Sequence, residues 1–349
     1  MTGTPKKQEV KERIRVAVLM GGPSAEHEVS LKSGHNILKN INRQKYEAFP
    51  IIIGKKGEWQ ISPAELKKKA DVGFIAMHGT YGEDGSVQAI LDKIKLPYTG
   101  SPTLPSALAM NKYLTTELLK GAGIAVPPTL LVSKTEWVRN PFKIFEQIKV
   151  YINYPMVVKP NDNGSSVGVS IVKTKGELIS AIENVFTLSR GALIQTLIKG
   201  VEVTCGVFDH GWPESAYPLM PTEIVPKVSS FFDYRAKYEV GGSLEITPAR
   251  LSQPVSDLIR RAAVQVHKAV GASGFSRTDF ILAGNHELFT LEINTIPGLT
   301  EQSLLPKAAL VSGISFSDLI DRVIIAAVHK YTPREMCGNI MSKFFGVSV

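Results

Sequence analysis

Residues 275–294 read FSRTDFILAGNHELFTLEIN, two alternating runs on either side of Ala283-Gly284-Asn285. Period-two alternation about a glycine turn predicts a β-hairpin, with strands over residues 275–282 and 286–293. On the second strand Phe289, Leu291 and Ile293 share one face, and Glu292 and Asn294 the other. On the first, Phe280 and Leu282 take the apolar face, and Arg277 and Asp279 the polar one. A turn centred on Gly284-Asn285 sets Arg277 opposite Glu292, with Asp279 on the diagonal. Two carboxylates, an amide and an arginine on one face supply oxygen ligands for Mg2+, above all Mg2+ that also holds phosphate oxygens. A solvent-facing strand with a cross-strand ion pair has the same pattern, so the hairpin alone leaves both readings open.

Four other segments carry chemistry. In VVKPNDNGSSVGVS a lysine, Lys159, ends an apolar strand before a loop with Gly164, Ser165, Ser166 and Gly168. Glycine lets backbone approach an anion, and amides and hydroxyls cradle phosphate. The loop is neither GxxxxGK[ST] nor GxGxxG, and an ordinary hairpin loop reads the same way. GGPSAEHEVS follows the first strand, where Glu26 or Glu28 could hold an ammonium group; helix capping by Ser24 is the plainer reading. His78 in AMHGTYGEDG sits at a strand end, suited to ligand contact or to a structural role. FFDYRAKYEVGG, with Lys237, Tyr238 and a double glycine, reads as a lid or as a surface loop with packed aromatics. No Ser/His/Asp order or catalytic-cysteine context is evident.

These segments need a scaffold. Short apolar strands over residues 15–20, 48–53 and 72–76, with helical spacing over 29–38, predict an open parallel βαβ sheet with functional loops at its carboxyl ends. A helix starts near Asn111 and stops at residues 121–123, and Pro127-Pro128 marks a linker. Residues 129–199 read as a compact α+β unit with strands MVVKP, GVSIV and ALIQ and a helix over 176–185. From Glu202 the chain is strand-rich, then helical over 303–311 and 315–328. The expected division is an N-terminal Rossmann-like domain (1–110), a central subdomain (111–200) and a C-terminal subdomain bearing the metal and substrate site (201–349).

The 349 residues carry a net charge of +8. The lysines are scattered and no nucleic-acid-binding motif accompanies them, so a basic surface suited to anionic substrates is expected, without nucleic acid as partner. Two cysteines, Cys205 and Cys337, form no CxxC pair and predict neither zinc site nor disulfide framework. The apolar run VAVLM is too short for a signal sequence, and no stretch approaches a membrane span, so a cytoplasmic protein is expected.

In order, GGPSAEHEVS, HGTYGEDG, KPNDNGSSVGV, FFDYRAKY, SRTDF and LEINTIPGLTEQSLLP closely resemble the D-alanine:D-alanine ligases, over residues 15–328. The resemblance implies an ATP-grasp architecture of mixed α/β and α+β type: a Rossmann-like parallel-sheet domain, then two units that grip ATP. It implies that Lys112 and Lys159 contact phosphate, that Ser166, Gln195 and Lys237 also line the nucleotide site, and that Glu202 binds ribose. Asp279, Glu292 and Asn294 would hold two Mg2+ ions, with Mn2+ able to replace them. Arg277 and the Gly298 amide would stabilise an oxyanion. Glu26, linked to Ser165 and Tyr238, would hold the first D-alanine, with His78 beside it. Lys237, Ser303 and Leu304 would hold the second. A homodimer is also implied.

The implied product is D-alanyl-D-alanine for peptidoglycan precursors, made through D-alanyl phosphate, with residues 229–242 closing over it. Two positions depart from the family pattern. Gln195-Thr196 stands where the hinge often reads Glu-Lys, and Asn111 where aspartate usually precedes the lysine. The rivals are a D-alanyl-D-lactate ligase or another ATP-grasp carboxylate-amine ligase, a nicotinamide enzyme, which would lack its GxGxxG and leave the hairpin unexplained, and a non-catalytic nucleotide-binding regulator, which would not need the full hairpin set.

Overall fold

The computed structural model describes residues 13–164, 167–211, 215–227 and 242–332. Strand β1 (Ile14–Gly21) is sealed on both faces, with Val16, Ala17, Val18, Leu19 and Met20 wholly buried. Such a continuous apolar run suits the centre of a parallel sheet. β1 lies between β2 (Tyr46–Ile53) and β3 (Val72–Ile75), both parallel to it. Helices α1 (His27–Asn40) and α2 (Pro63–Lys69) return the chain between strands. Ser62 caps α2 by accepting the Glu65 amide, and Pro63 fills the first helical position. α3 (Ser86–Lys93), α4 (Thr103–Met110) and α5 (Lys112–Gly121) lead out of this unit.

The central unit is a four-stranded antiparallel sheet in the order β4-β7-β5-β6. It runs β4 (Thr129–Ser133), α6 (Lys134–Arg139), α7 (Pro141–Tyr151), β5 (Met156–Pro160), β6 (Ser170–Val172), α8 (Lys175–Leu188) and β7 (Gly191–Thr196). Its own core joins one sheet face to the helices through Ile148, Met156, Val158, Ile182, Val185 and Ile194. The opposite face, with Val157, Ile171 and Gln195, lines a cleft.

The last unit comprises β8 (Gly200–Phe208), β9 (Tyr217–Pro218), β10 (Thr222–Pro226), β11 (Ser243–Ile246), α9 (Gln253–Val270), β12 (Phe275–Ala283), β13 (Leu288–Asn294), α10 (Leu304–Val311) and α11 (Phe316–Tyr331). Its sheet runs β11-β10-β8-β12-β13, with β9 on β8. α9 ends at Gly271, whose φ of 75° gives the left-handed cap. α11 crosses back to the parallel sheet, where Leu319, Val323, Ile324 and Ala327 join the core of β1 and β3. Lys45 Nζ meets Asp321 of α11 at 2.8 Å, and the Tyr46 hydroxyl donates to the same carboxylate.

The hairpin β12–β13 differs from its expected register. Arg277 pairs with Asn294 and Asp279 with Glu292, two residues further along than the spacing predicts. Half of the slip comes from the turn, which takes in His286 at φ 64° and closes on Ala283 N to Glu287 O at 2.8 Å. The other half is a bulge, since Asp279 pairs with Glu292 but Phe280 with Thr290. The bulge moves Leu291 off the core face, so that it lines a cleft with Asp279, Ile281 and Glu292, while Thr290 takes its buried place. Because the slip is an even number, the four polar residues still share a face.

Candidate active site

Arg277 grips Asp279 with two bonds, donating Nε–H and Nη2–H to its two oxygens at 2.9 Å each. The Thr204 hydroxyl donates to the same carboxylate at 2.6 Å. Burial opposes charge on Arg277, but Asp279, and more weakly Glu292 and Glu83, outweigh it and hold its pKa above the usual range. Arg277 is therefore a fixed cation at the base of the site. Lys112 Nζ donates to Asn163 O at 2.6 Å and stands 3.7 Å from Glu292.

Two clefts meet at this face. One runs between the open face of the central sheet and the hairpin. Its polar end holds Lys112, Lys159, Asp279 and Glu292; its far end holds Gln195 and Glu202. Val157, Val169, Ile171, Leu197, Ile281 and Leu291 form apolar walls between them. Two lysines at one end and apolar walls beyond them suit the phosphates and the base of a nucleoside triphosphate. The second cleft is lined by Glu26, His78, Arg277, Glu292, Asn294, Gly298, Ser303 and Leu304. Gly164 and Glu292 line both. Of the two acids offered for an ammonium group, Glu26 lines the second cleft, whereas Glu28 lines neither and meets Lys55 at 3.2 Å on the surface. Ser165, Ser166, Lys237 and Tyr238, and the lid over 229–242 apart from its last residue, lie outside the described residues.

The second cleft is lined by several loops together with residues of β11, β12 and β13. Ser24 Oγ accepts the Glu26 amide at 3.1 Å and donates to His78 O at 2.6 Å, tying the first loop to the one after β3. The backbone there is close: a Cβ on Gly79, itself at φ 75°, would stand 2.8 Å from Glu26 Oε2, and one on Gly164 3.1 Å. His78 is held by Ser33 Oγ at 2.8 Å and Ile296 O at 3.1 Å. Its Nδ1 is 3.6 Å from Glu83. Burial works against its charge, but the Glu83 and Glu26 carboxylates raise its pKa. Burial also raises Glu83. Gly298 lies against Ser303, whose Oγ a Cβ there would approach to 2.6 Å. Ser303 and Leu304, at the start of α10, line the cleft, so that helix begins at its wall, where an anion such as a carboxylate is favoured.

Sequence reasoning missed Glu83, Glu245 and Thr300, which also line this cleft. Glu83 was within reach, since it shares the HGTYGEDG loop with His78. Glu245, paired with Lys307 at 2.8 Å, arrives on a separate strand with no motif around it.

Asp279, Glu292 and Asn294 present oxygen donors of the kind Mg2+ takes. Among the described residues no three His, Cys, Asp or Glu side chains gather closely enough to cage a metal unaided. Phosphate and water oxygens would have to complete the shell, so the donor set fits Mg2+ that arrives with a nucleotide.

A family model described as the D-ala D-ala ligase C-terminus matches residues 118–325, and one described as its N-terminus matches 15–69 and 60–101. A D-alanine:D-alanine ligase of Syntrophobacter fumaroxidans is 42% identical over 318 residues, 91% of this chain and 98% of that one. The D-Ala:D-Ser ligase VanG of Enterococcus faecalis superposes with a TM-score of 0.81 at 32% identity, over 92% of this chain and all of that one. A D-alanine:D-alanine ligase of Bacillus anthracis complexed with ATP gives 0.76 at 32% identity, over 91% and 98%. With matching models at both ends and relatives aligned along nearly its whole length, the chain belongs to the D-alanine:D-alanine ligase family.

Proposed function

We propose that the protein joins two D-alanine molecules into D-alanyl-D-alanine, using ATP and passing through D-alanyl phosphate. The observation that carries this is the hairpin face, where Arg277, Asp279, Glu292 and Asn294 stand where a cleft lined by Lys112, Lys159 and apolar side chains abuts a second, more polar one. Lys112 and Lys159 bind the phosphates, Gln195 lies at the base end, and Glu202 holds the ribose. Glu26 takes the first D-alanine's ammonium, with His78 beside it. The carboxylate of that D-alanine attacks the γ-phosphorus and ADP leaves. Asp279, Glu292 and Asn294 would hold two Mg2+ ions, replaceable by Mn2+, which neutralise and align the triphosphate. The second D-alanine, its carboxylate at Ser303 and Leu304, attacks the acyl carbon as the free amine. Arg277 and the Gly298 amide stabilise the oxyanion, and phosphate leaves.

Ser165, Ser166, Lys237 and Tyr238 belong to the same reading: Ser165 and Tyr238 complete the Glu26 side, Ser166 and Lys237 the phosphate side. Residues 229–242 keep water from the acylphosphate. The domain division at 110 and 200, a homodimeric state, a cytoplasmic location and a role in peptidoglycan precursor synthesis are parts of the proposal. Among the described residues no helix is long and apolar enough to cross a membrane.

The test is ADP release from the purified protein with Mg2+, ATP and a panel of D-alanine, L-alanine, D-serine and D-lactate, with products resolved by mass. D-Alanyl-D-alanine should dominate when all are present. Turnover without D-alanine, or a majority of ester product near pH 7, would replace this reading.

A further inference from the structure

Helix α1 grips the segment that follows β13. Ser33 and Asn36 stand three residues apart on one face of that helix. Ser33 Oγ meets His78 Nε2 at 2.8 Å, and His78 Nδ1–H donates to Ile296 O at 3.1 Å. Asn36 Nδ2 donates to Leu299 O at 2.9 Å. The two carbonyls held in this way are themselves three residues apart and bracket Pro297-Gly298. Ile296 and Leu299 are buried, while Gly298 between them reaches the second cleft. Among the described residues the Gly298 N–H has no hydrogen-bond partner.

Leu299 O can only accept, so the Asn36 amide must turn its nitrogen to it. The oxygen end of that amide is fixed as well: Asn40 Nδ2 donates to Asn36 O at 2.8 Å and to Asn36 Oδ1 at 3.0 Å. The peptide that Asn36 holds is clamped on its other side too. Thr300 N–H, in the same peptide plane as Leu299 O, donates to Ser303 Oγ at 3.1 Å. Ser303 Oγ is also the atom that a Cβ on Gly298 would approach to 2.6 Å, so this peptide, Ser303 and the Gly298 backbone pack together. Asn36 lines neither cleft and reaches the second only through the backbone it holds.

We propose that Asn36 is a positioning residue for the acyl-transfer step: by holding Leu299 O it fixes the Gly298 backbone, and with it the N–H that meets the oxyanion. This rests on the ligase reading, in which the second amine bonds to the acyl carbon, the carbonyl electron pair moves onto oxygen, and phosphate then leaves. An oxyanion donor works only when it is set in advance at about 3 Å from where the charge will be. An error of about 1 Å can cost about 100-fold. The phosphoryl transfer that comes first develops its charge at the Lys112 and Lys159 end instead. Loss of Asn36 should therefore slow the second step and spare the first.

The experiment follows both steps in the full chain with Mg2+, ATP and D-alanine. ATP carrying heavy oxygen at its β non-bridging positions moves label into the β–γ bridge only when the γ-phosphoryl group leaves for D-alanine and returns. Scrambling therefore reports the first step, and D-alanyl-D-alanine the second. Asn36→Ala keeps a strong helix former in α1, and Asn36→Asp keeps the shape but sets an acceptor against Leu299 O. Both should cut kcat for dipeptide about 10- to 100-fold and leave the KM for ATP within about 3-fold. Scrambling should hold or rise, so its ratio to dipeptide should grow by at least about 10-fold. A merely structural role would lower the two together. Parallel loss of both, or a wild-type dipeptide rate in either folded variant, overturns the proposal. Scrambling and dipeptide both absent from wild type would sink the ligase reading itself, an outcome visible without any Asn36 variant.

Discussion

Glu292 faces both clefts and stands 3.7 Å from Lys112 across from the Arg277–Asp279 pair. Replacing its carboxylate by an amide removes one charge with almost no change of volume. If Glu292 binds metal at the point where charge moves, Glu292→Gln should cut the rate of ADP release by at least ~100-fold, as loss of one such stabilising group does elsewhere. The circular dichroism spectrum and thermal midpoint should stay near wild type, because Glu292 is only partly buried and packs in no core. Near-normal turnover in a folded Glu292→Gln would remove Glu292 from the mechanism. The residue types at this face were legible in the sequence because strand alternation sorts polar from apolar whatever the register. Their partners were not. The register depends on a left-handed His286 and a bulge at Leu291, and neither residue type announces itself. Had the slip been one residue rather than two, Glu292 and Asn294 would have turned into the core.

Elements deliver these groups through their ends. The first amides of α5 are all taken: Lys112 N–H by Asn161 O, Tyr113 N–H by Asn161 Oδ1 and Leu114 N–H by Asn111 Oδ1, at 2.9, 2.9 and 3.0 Å. Asn161 follows β5, so the capping both starts the helix and ties Lys112 to the strand that carries Lys159. It also accounts for the asparagine where aspartate is usual, because the two cap a helix about equally well. Asn111→Ala should cost about 1 kcal/mol in urea denaturation, the usual worth of such a cap, and raise the KM for ATP more than it lowers kcat. Asn111→Asp should leave stability within a few tenths of a kcal/mol of wild type, the spread between the two as caps. An alanine variant of unchanged stability would mean that Asn161 alone holds the helix start. The start of α5 was readable from the asparagine and its end from the glycines. The two side chains of Asn161 and Asn111 working together were not, because a cap contributed from fifty residues away leaves no local pattern.

At the scale of the whole molecule, the first and last units share one hydrophobic core while the central sheet keeps its own. The amphipathic spacing of α11 predicted a helix, but periodicity does not name the surface it covers, and its docking on the parallel sheet was invisible in the sequence. A second tie runs through the buried Asp209, His267 and Ser276. His267 bridges Asp209 at 2.9 Å and Ser276 at 2.7 Å, and Asp209 also accepts the Gly211 and Gly274 amides at 2.6 and 2.9 Å. The set has the composition of a hydrolytic triad, yet all three side chains are sealed from solvent, so it joins β8, α9 and the start of β12 rather than attacking a substrate. Since β12 carries Arg277 and Asp279 one and three residues further on, this junction fixes where the hairpin begins.

The junction has a predictable pH signature. Burial alone would raise the Asp209 pKa, but its bond and attraction to His267 and the two glycine amides outweigh burial and lower it. A carboxylate depressed in the folded state stabilises fully above its unfolded pKa, near ~3.9, and loses that contribution as pH falls through the folded value. Asp209→Asn should therefore lower the urea midpoint clearly at pH 7, by an amount corresponding to about 2 kcal/mol, the scale of hydrogen bonds to a buried charged group. The gap to wild type should hold down to about pH 5 and narrow only below about pH 4, as the wild-type carboxyl is itself protonated. Equal midpoints for Asp209→Asn and wild type at pH 7 would show that hydrogen bonding alone, without charge, holds β12 to α9. A gap that narrowed instead between pH 7 and 5 would place the decisive titration on a group other than Asp209.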